Sequence, residues 1–300
     1  MVSFSEIRVK IIRFKDSCQT SVISLNHGII KKFGSCGNFS NFALLISPVM
    51  IDSSLIKAFK TISLEEMGKV RLMNRVDTKF VTSFDKIQDL LRATASDYMI
   101  QEIGGRSNMP YYTRYYDTDD TMMFYEHQRG RKNRQKIRVR HYEDSDTLPF
   151  IEIKTKNNKG RTYKRRIAMD KGSDVLSYDS FINQHSQYDP SALKAHIENH
   201  FYRITLVNKE MTERITIDTN LEFHNLVTDL RVKLGNIGIV EWKRDGRSGK
   251  SGLDKILRDL RIHPRGFSKY CVGMAITNPH LRQNRLKKKL RFINRINPFM

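Results

Sequence analysis

Charged and apolar side chains alternate in several short segments of this sequence. In residues 136–140 (KIRVR) every second residue is a cation, and in residues 151–156 (IEIKTK) a carboxylate and two lysines alternate with Ile and Thr. Arginine holds phosphate oxygens through paired N–H groups, and lysine supplies a point charge. A carboxylate can hold Mg²⁺ or Mn²⁺. The pattern therefore indicates a site for a phosphorylated anion together with a divalent cation.

The same alternation recurs in residues 75–79 (RVDTK), 214–218 (RITID) and 240–243 (VEWK). Side chains two residues apart share one face of a β-strand. Each segment therefore predicts a strand with one apolar face and one charged face. Most of these segments also contain an isolated acid among the cations, which is more typical of a metal and phosphate site than of a solubilising surface.

Two architectures explain this alternation. An antiparallel sheet with one face in water is its commonest cause. However, like charges opposed across strands cost a few tenths to about 1 kcal/mol per pair. A closed barrel with apolar faces packed on helices and charged faces around a polar lumen fits the pattern better. We predict an α+β fold, an antiparallel β-barrel with a charged lumen and helices packed outside, and keep the solvated sheet as the alternative.

The charge composition indicates what kind of molecule the protein binds. Lys and Arg total 53 against 32 Asp and Glu, a formal net charge of +21, which predicts a strongly anionic partner. The three cysteines have no metal-ligand spacing and do not suggest a disulfide framework. No apolar run approaches the roughly 20 residues of a membrane-spanning helix. Phosphoryl transfer depends mainly on positioning and charge neutralisation, so the absence of a glycine-rich phosphate loop does not argue against it.

The remaining segments suggest the domain organisation. We expect residues 1–50 to be poorly structured or spurious, residues 51–278 to form the barrel domain, and residues 279–300 to be a basic tail. Ser63 and Glu66 have the spacing of a capping box, and residues 157–160 (NNKG) read as a hairpin turn. Helices are predicted over residues 83–95, 175–185, 191–199 and 253–260.

A series of motifs carries a resemblance to a known family. In chain order the motifs are NRVDTKF (74–80), TRYYDT (113–118), YEH (125–127), NRQKIRVR (133–140), IEIK (151–154), GRTYKRRI (160–167), ERITID (213–218), IVEWK (239–243) and FSKY (267–270). Together they resemble the VTC domain, the polyphosphate polymerase domain of the vacuolar transporter chaperone complex. That domain belongs to the triphosphate tunnel metalloenzymes (CYTH-like superfamily), and this chain looks like its bacterial stand-alone form.

The resemblance implies a metal-dependent enzyme that moves the γ-phosphate of ATP onto a growing polyphosphate chain inside a basic tunnel. It implies Glu241 as the ligand of Mn²⁺ or Mg²⁺, with Glu152 as a second candidate. It also implies two weaker phosphate contacts, Lys164 and Arg166. The family often has Tyr-x-Arg where this chain has Phe201-Tyr202-Arg203, so the tyrosine hydroxyl contact is either missing here or supplied by Tyr202. The implied triphosphate or product contacts are Lys79, Arg138, Arg140, Lys154, Arg203, Arg214, Lys243 and Lys269.

Other functions stay open at this point. A hydrolase of triphosphate or polyphosphate on the same scaffold, or a non-catalytic polyphosphate-binding module, would use the same residues. Seven of the twelve residues from 129 to 140 are basic, but no nucleic-acid-binding signature accompanies them, so no nucleic acid is expected as a partner. We expect a cytoplasmic protein that binds ATP and polyphosphate. Its basic tail would contact an anionic membrane surface or a membrane-protein partner.

Overall fold

The computed structural model describes residues 10–13, 21–25, 28–32, 50–68, 70, 75–142, 147–159, 161–246 and 251–297. The chain divides into two compact units, residues 1–50 and 51–300. In the first unit β1 (Lys10–Arg13), β2 (Ser21–Leu25) and β3 (Gly28–Lys32) form an antiparallel sheet in that order. The other residues before Met50 lie outside the described part, so the expectation of a poorly structured or spurious segment stays a prediction.

An 11-stranded sheet dominates the second unit. Its main path runs β10-β9-β8-β7-β11-β12-β14-β5, with β13 paired to β12 and β6 to β11. All of its pairs are antiparallel except β4 with β6. The strands are β4 (Lys60–Ser63), β5 (Arg75–Ser83), β6 (Tyr98–Glu102), β7 (Asn108–Asp117), β8 (Arg134–Tyr142), β9 (Phe150–Lys156), β10 (Thr162–Ala168), β11 (Lys194–Asn208), β12 (Glu213–Asn225), β13 (Arg231–Leu234) and β14 (Ile237–Asp245).

Short helices connect and cover these strands. None of the helices in the described ranges has the length and apolar character needed to cross a bilayer. The predicted capping box begins α2, because Ser63 Oγ accepts from Glu66 N and the Glu66 carboxylate accepts from Ser63 N. The helices are α1 (Ser53–Lys57), α2 (Leu64–Met67), α3 (Phe84–Thr94), α4 (Met122–Arg129), α5 (Asp179–His185), α6 (Gly252–Asp259), α7 (Lys269–Thr277) and α8 (Lys287–Ile296).

The core forms where helices meet the apolar residues of the strands. Ile137 and Ile151 are fully buried, on the strand positions between the charged ones. Two glycines allow a helix and a strand to approach each other closely. A Cβ on Gly238 of β14 would lie 2.2 Å from Ile87 of α3, and a Cβ on Gly273 of α7 would lie 2.5 Å from Phe223 of β12. The helices are thus packed tightly against the sheet, which fixes where the charged faces of its strands lie.

The predicted fold class is confirmed: an antiparallel sheet carries a charged face and is covered by helices. The end strands β10 and β5 are not paired with each other in the described part of the chain, so the sheet curls without closing through a hydrogen-bonded seam. The hairpin between β9 and β10 is also confirmed, with Asn157 N donating to Arg161 O at 2.9 Å. Gly160 lies outside the described residues.

One element differs from its prediction. Residues 191–199 were predicted to be helical, but Lys194–Asn208 forms strand β11 between β7 and β12. Pairing along both edges of this long strand outweighs a local helical preference. At the other end of the chain, residues 287–296 of the predicted basic tail form helix α8, and Ile293 is buried. The domain boundaries themselves stay a prediction.

Candidate functional site

The register of β8, β9 and β10 places charged residues in rows across the sheet. Lys136 faces Lys154, and Lys154 faces Lys164. In the next row Glu152 lies between Arg138 and Arg166. The predicted alternation therefore describes one continuous charged face.

Glu152 is the centre of the first charge cluster on this face. Arg138 donates to it through Nε at 2.9 Å and also through Nη2, and the Nζ atoms of Lys154 and Lys164 lie 3.7 and 3.4 Å away. Its side chain is only 6% exposed. Burial acts to raise the pKa of Glu152, but Arg138, Lys154, Arg140 and Lys164 together hold it at about 2. The carboxylate stays ionised and offsets part of the cationic charge.

Glu241 on β14 is the centre of the second cluster. It is the cross-strand partner of Lys79 on β5, and its carboxylate contacts both Lys79 Nζ and Lys243 Nζ. Burial acts to raise the pKa of Glu241, and the two lysines outweigh burial and lower it well below its usual range. Burial lowers the pKa of Lys243 to about 8, with a smaller contribution from Lys79.

Asp218 on β12 is the centre of the third cluster, and the sequence analysis did not identify it as a site residue. Its carboxylate accepts from Arg203 Nε at 2.6 Å and Arg203 Nη2 at 2.8 Å, and also contacts Lys269 Nζ. Lys269 begins helix α7, which Ser268 caps by accepting from Cys271 N at 3.2 Å. Burial lowers the pKa of Lys269 to about 7, with Arg203 adding to the effect.

The three clusters face a common interior. Strands β9 and β14 are separated in the sheet by β8, β7, β11 and β12, yet Lys154 on β9 interacts electrostatically with Glu241 on β14. Lys136 on β8 likewise interacts with Lys79 on β5. The charge of Arg138, followed by burial, lowers the pKa of Lys154 to about 6. Only a strongly curled sheet brings charges from such distant strands together.

Aromatic rings line the same interior beneath the guanidinium groups. The Tyr111 ring lies 4.9 Å from Arg203 and 5.7 Å from Arg140, and Arg138 Nη1 contacts the Tyr115 hydroxyl at 3.5 Å. Arg140 Nε is buried and has no hydrogen-bond partner among the described residues. A bound anion would satisfy that donor. The sequence analysis did not identify these rings, although the alternation of Tyr111, Thr113 and Tyr115 places them on one face of β7.

A family model described as the VTC domain matches residues 74–278 of this sequence. The chain belongs to the VTC domain family. The match covers the strands and α7 that build the charged interior. Together with the concentration of cations there, it supports an enzyme that acts on a triphosphate or polyphosphate. No curated protein matches the sequence.

Several solved structures share part of this fold. One is a candidate adenylate cyclase from Bacillus halodurans, with 13% sequence identity and a TM-score of 0.40; the alignment covers 65% of this chain and 96% of that one. A candidate adenylyl cyclase from Hippeastrum with a dominant triphosphatase activity has 13% identity, TM-score 0.41, and coverage of 68% and 96%. A Pyrococcus horikoshii protein has 15% identity, TM-score 0.38, and coverage of 67% and 98%. Values this low carry no information about activity.

The structure brings most of the predicted site residues of this VTC domain together. Arg214 faces Lys243 across β12 and β14. Lys164 and Arg166 lie on the same charged face as Glu152, but on the exposed edge strand β10. The structure places Tyr202 on the face of β11 opposite to Arg203, where it is 42% exposed; Tyr111 lies beside Arg203 instead. The predicted residues found on the charged face are Lys79, Arg138, Arg140, Glu152, Lys154, Lys164, Arg166, Arg203, Arg214, Glu241, Lys243 and Lys269.

The carboxylates of the VTC domain suit a cation that arrives with phosphate. No group of three or more His, Cys, Asp or Glu side chains that could hold a metal occurs in the described part of the chain. Mg²⁺ and similar ions are commonly bound by one or two carboxylates plus substrate phosphates, keeping several waters. Glu241, with its flanking lysines, fits this shared mode, and so does Glu152. Neither fits a metal held by protein ligands alone.

Proposed function

We propose that this VTC domain is an ATP-dependent polyphosphate polymerase, which transfers the γ-phosphate of ATP to the end of a polyphosphate chain and releases ADP. The observation that carries the proposal is the charged interior. Its cations outnumber its carboxylates, and they come from strands that are far apart in the order of the sheet, such as β9 and β14. Such an interior has few negative charges to offset its cations until a polyanion enters it. Membership of the VTC family supports the choice of polyphosphate as that polyanion.

The guanidinium groups have the geometry to hold phosphate oxygens. Arg138 and Arg203 each donate from Nε and Nη2 to a carboxylate, which is the paired geometry that phosphate oxygens would also accept. The buried Nε of Arg140 has no partner among the described residues. Lys154 and Lys269 add positive point charges that would stabilise the negative charge on the oxygens of the transferred phosphoryl group. These groups would align the terminal phosphate of the chain with the γ-phosphate of ATP, which is most of what phosphoryl transfer requires.

Glu241 has a second role in this proposal. Phosphate oxygens would replace its carboxylate as the partners of Lys79 and Lys243, leaving both oxygens of Glu241 free to hold Mn²⁺ or Mg²⁺. The divalent cation would supply neutralisation of the phosphate charge. Glu152, flanked by Arg138 and Lys164, is the weaker candidate for the same role.

The decisive experiment incubates the purified chain with ATP and Mn²⁺ and separates the products by gel electrophoresis and ³¹P NMR. A polymerase yields ADP and long-chain polyphosphate. Orthophosphate as the only phosphate product would instead establish a hydrolase on the same scaffold, with water as the acceptor. Binding of polyphosphate without consumption of ATP would establish a non-catalytic binding module. Either of these results contradicts the proposed polymerase activity.

A further inference from the structure

A strip of cationic side chains continues from the charged interior onto the outer surface. Arg134 and Lys156 are cross-strand partners at the ends of β8 and β9, one row beyond Lys136 and Lys154 on the same face. Consecutive residues on one face of a strand are about 7 Å apart. We define the basic strip as Arg134, Lys156, Arg285, Lys288, Lys289 and Arg291.

Contacts between α4 and the C-terminal segment bring the two halves of the strip together. Gln128 Nε2 donates to Arg282 O at 2.9 Å, and Arg285 Nη1 donates to Gln128 O at 3.1 Å. Lys288 follows Arg285 by three residues and Arg291 follows Lys288 by three, so consecutive members of this series are neighbours on the surface of the segment. The half-buried His127 interacts electrostatically with Lys136, Arg134, Lys289 and Lys156, so cations of the interior, the strand ends and α8 lie around one imidazole.

The strip carries charge that the described part of the protein does not neutralise. No Asp or Glu occurs after Asp259 in the sequence. Within the described ranges, none of the six strip residues forms an ion pair. Lys288 and Arg291 are exposed. The strip therefore complements a polyanion.

The packing of α8 favours a soluble polymer over a lipid surface. Ile293 is fully buried, and Leu290, Phe292 and Ile296 pack against the main core. Asn236 further ties the end of α8 to the sheet, donating from Nδ2 to Ile296 O at 2.7 Å. Membrane-surface helices insert their apolar face between lipids, and here that face is already occupied by the protein.

We propose that the basic strip binds the part of a polyphosphate chain that extends beyond the charged interior, so that long chains are held at two connected places. This inference rests on the proposed polyphosphate substrate. A tripolyphosphate would occupy the interior alone, whereas a long chain would reach the strip as well. The strip would thus give the domain a preference for long polymer and keep a growing chain bound between additions.

The test compares the K288Q/R291Q double variant with the wild type and with a charge-matched control, K57Q/K60Q, whose lysines are exposed at α1 and β4. Dissociation constants for long-chain polyphosphate and for tripolyphosphate are measured by titration at several salt concentrations. We expect K288Q/R291Q to bind the long polymer about tenfold more weakly, with a salt slope smaller by about 1.4, because two cations are lost. Tripolyphosphate binding should be unchanged, and the control should match the wild type for both ligands.

Unchanged affinity of K288Q/R291Q for the long polymer would overturn the inference. Failure of the wild type to bind tripolyphosphate would instead remove the proposed function, so the two failures are distinguishable. Binding of the wild type and the double variant to vesicles containing phosphatidylserine is measured as well. If the double variant loses vesicle binding but keeps its affinity for long polymer, the strip is a membrane contact and the inference is wrong.

Discussion

Arg203 and Asp218 are direct cross-strand partners on β11 and β12, and the guanidinium holds both oxygens of the carboxylate at 2.6 and 2.8 Å. Lys269, 51 residues further along the chain, contacts the same carboxylate. Asp218 is 5% exposed. One buried anion therefore holds two cations of the interior in place until a ligand arrives.

Replacing Asp218 with Asn should destabilise the ligand-free protein by about 3 kcal/mol, because it leaves two buried cations without their counter-charge. Tripolyphosphate should restore part of the lost stability by supplying negative charge. Urea unfolding with and without the ligand measures both effects. The control is E222Q, which breaks the exposed Glu222–Lys233 pair and should change stability by less than about 1 kcal/mol. Equal loss in D218N and E222Q would show that the Asp218 cluster is not a stabilising centre.

Replacing Glu241 with Gln should lower metal-dependent turnover of ATP about 100-fold, the scale on which single charge-stabilising groups act in transition states. The fold should persist, because the side chains of Glu241 and Lys79 are 20% and 33% exposed, so water compensates for the lost charge more than it can at the buried Asp218. Turnover is followed by ADP release as Mn²⁺ is titrated. E222Q again serves as the control. Unchanged turnover in E241Q would place the metal elsewhere.

Binding of a polyanion should take up protons and weaken as the pH rises from about 6 to about 9. In the ligand-free protein the charge of Arg138 and burial lower the pKa of Lys154 to about 6, and burial lowers that of Lys136 to about 8. Nearby phosphate favours the charged lysines, so each neutral lysine must gain a proton on binding. Calorimetry in buffers of different ionisation enthalpy measures this uptake. Cyclic trimetaphosphate, which has no terminal phosphate to titrate, is the probe, and absence of uptake at pH 8 would contradict the expectation.

Replacing Gly273 with Ala should cost about 1–3 kcal/mol through overpacking. The new methyl would lie 2.5 Å from Phe223 Cδ1 and 2.7 Å from Ile197 Cδ1, forcing α7 and its Lys269 away from β12. Gly266→Ala is the matched control, since nothing lies within 4 Å of its added methyl. Thermal unfolding compares the two variants. A melting temperature for G273A equal to that of G266A would show that α7 is not packed tightly on the sheet.

Much of this site follows from strand periodicity. Residues 136–140 and 151–156 could be assigned their two faces from the sequence, because alternation fixes which side chains point the same way. Whether the charged faces meet depends on how the sheet curls. The repulsion expected between like charges on an open sheet favoured a closed barrel, and the motif resemblance independently implied the same fold.

Other features depend on contacts that no local pattern records. Asp218 becomes a centre of charge only because the fold brings Lys269 to it from the start of α7. Tyr202 was selected from its place beside Arg203 in the sequence, yet adjacent strand residues point to opposite faces. The segment 191–199 belongs to a strand because β7 and β12 pair with it on both sides.

The central claim is that the charged faces enclose one binding site for a triphosphate, and the most direct test compares two arginines on opposite faces of the sheet. Arg138 pairs with Glu152 on the inner face, and its side chain is 11% exposed. Arg114 pairs with Glu198 at 2.7 Å, and its side chain is 42% exposed. Both pairs join an arginine to a glutamate, so the R138Q and R114Q variants differ mainly in which face of the sheet loses a cation.

Tripolyphosphate affinity is measured by isothermal titration calorimetry for the wild type, R138Q and R114Q, after thermal melts establish that each is folded. We predict that R138Q loses about 2 kcal/mol of binding free energy, or about thirtyfold in affinity. R114Q should stay within about twofold of the wild type, because its guanidinium faces away from the interior. Equal affinities for R138Q and R114Q would contradict the existence of an interior triphosphate site.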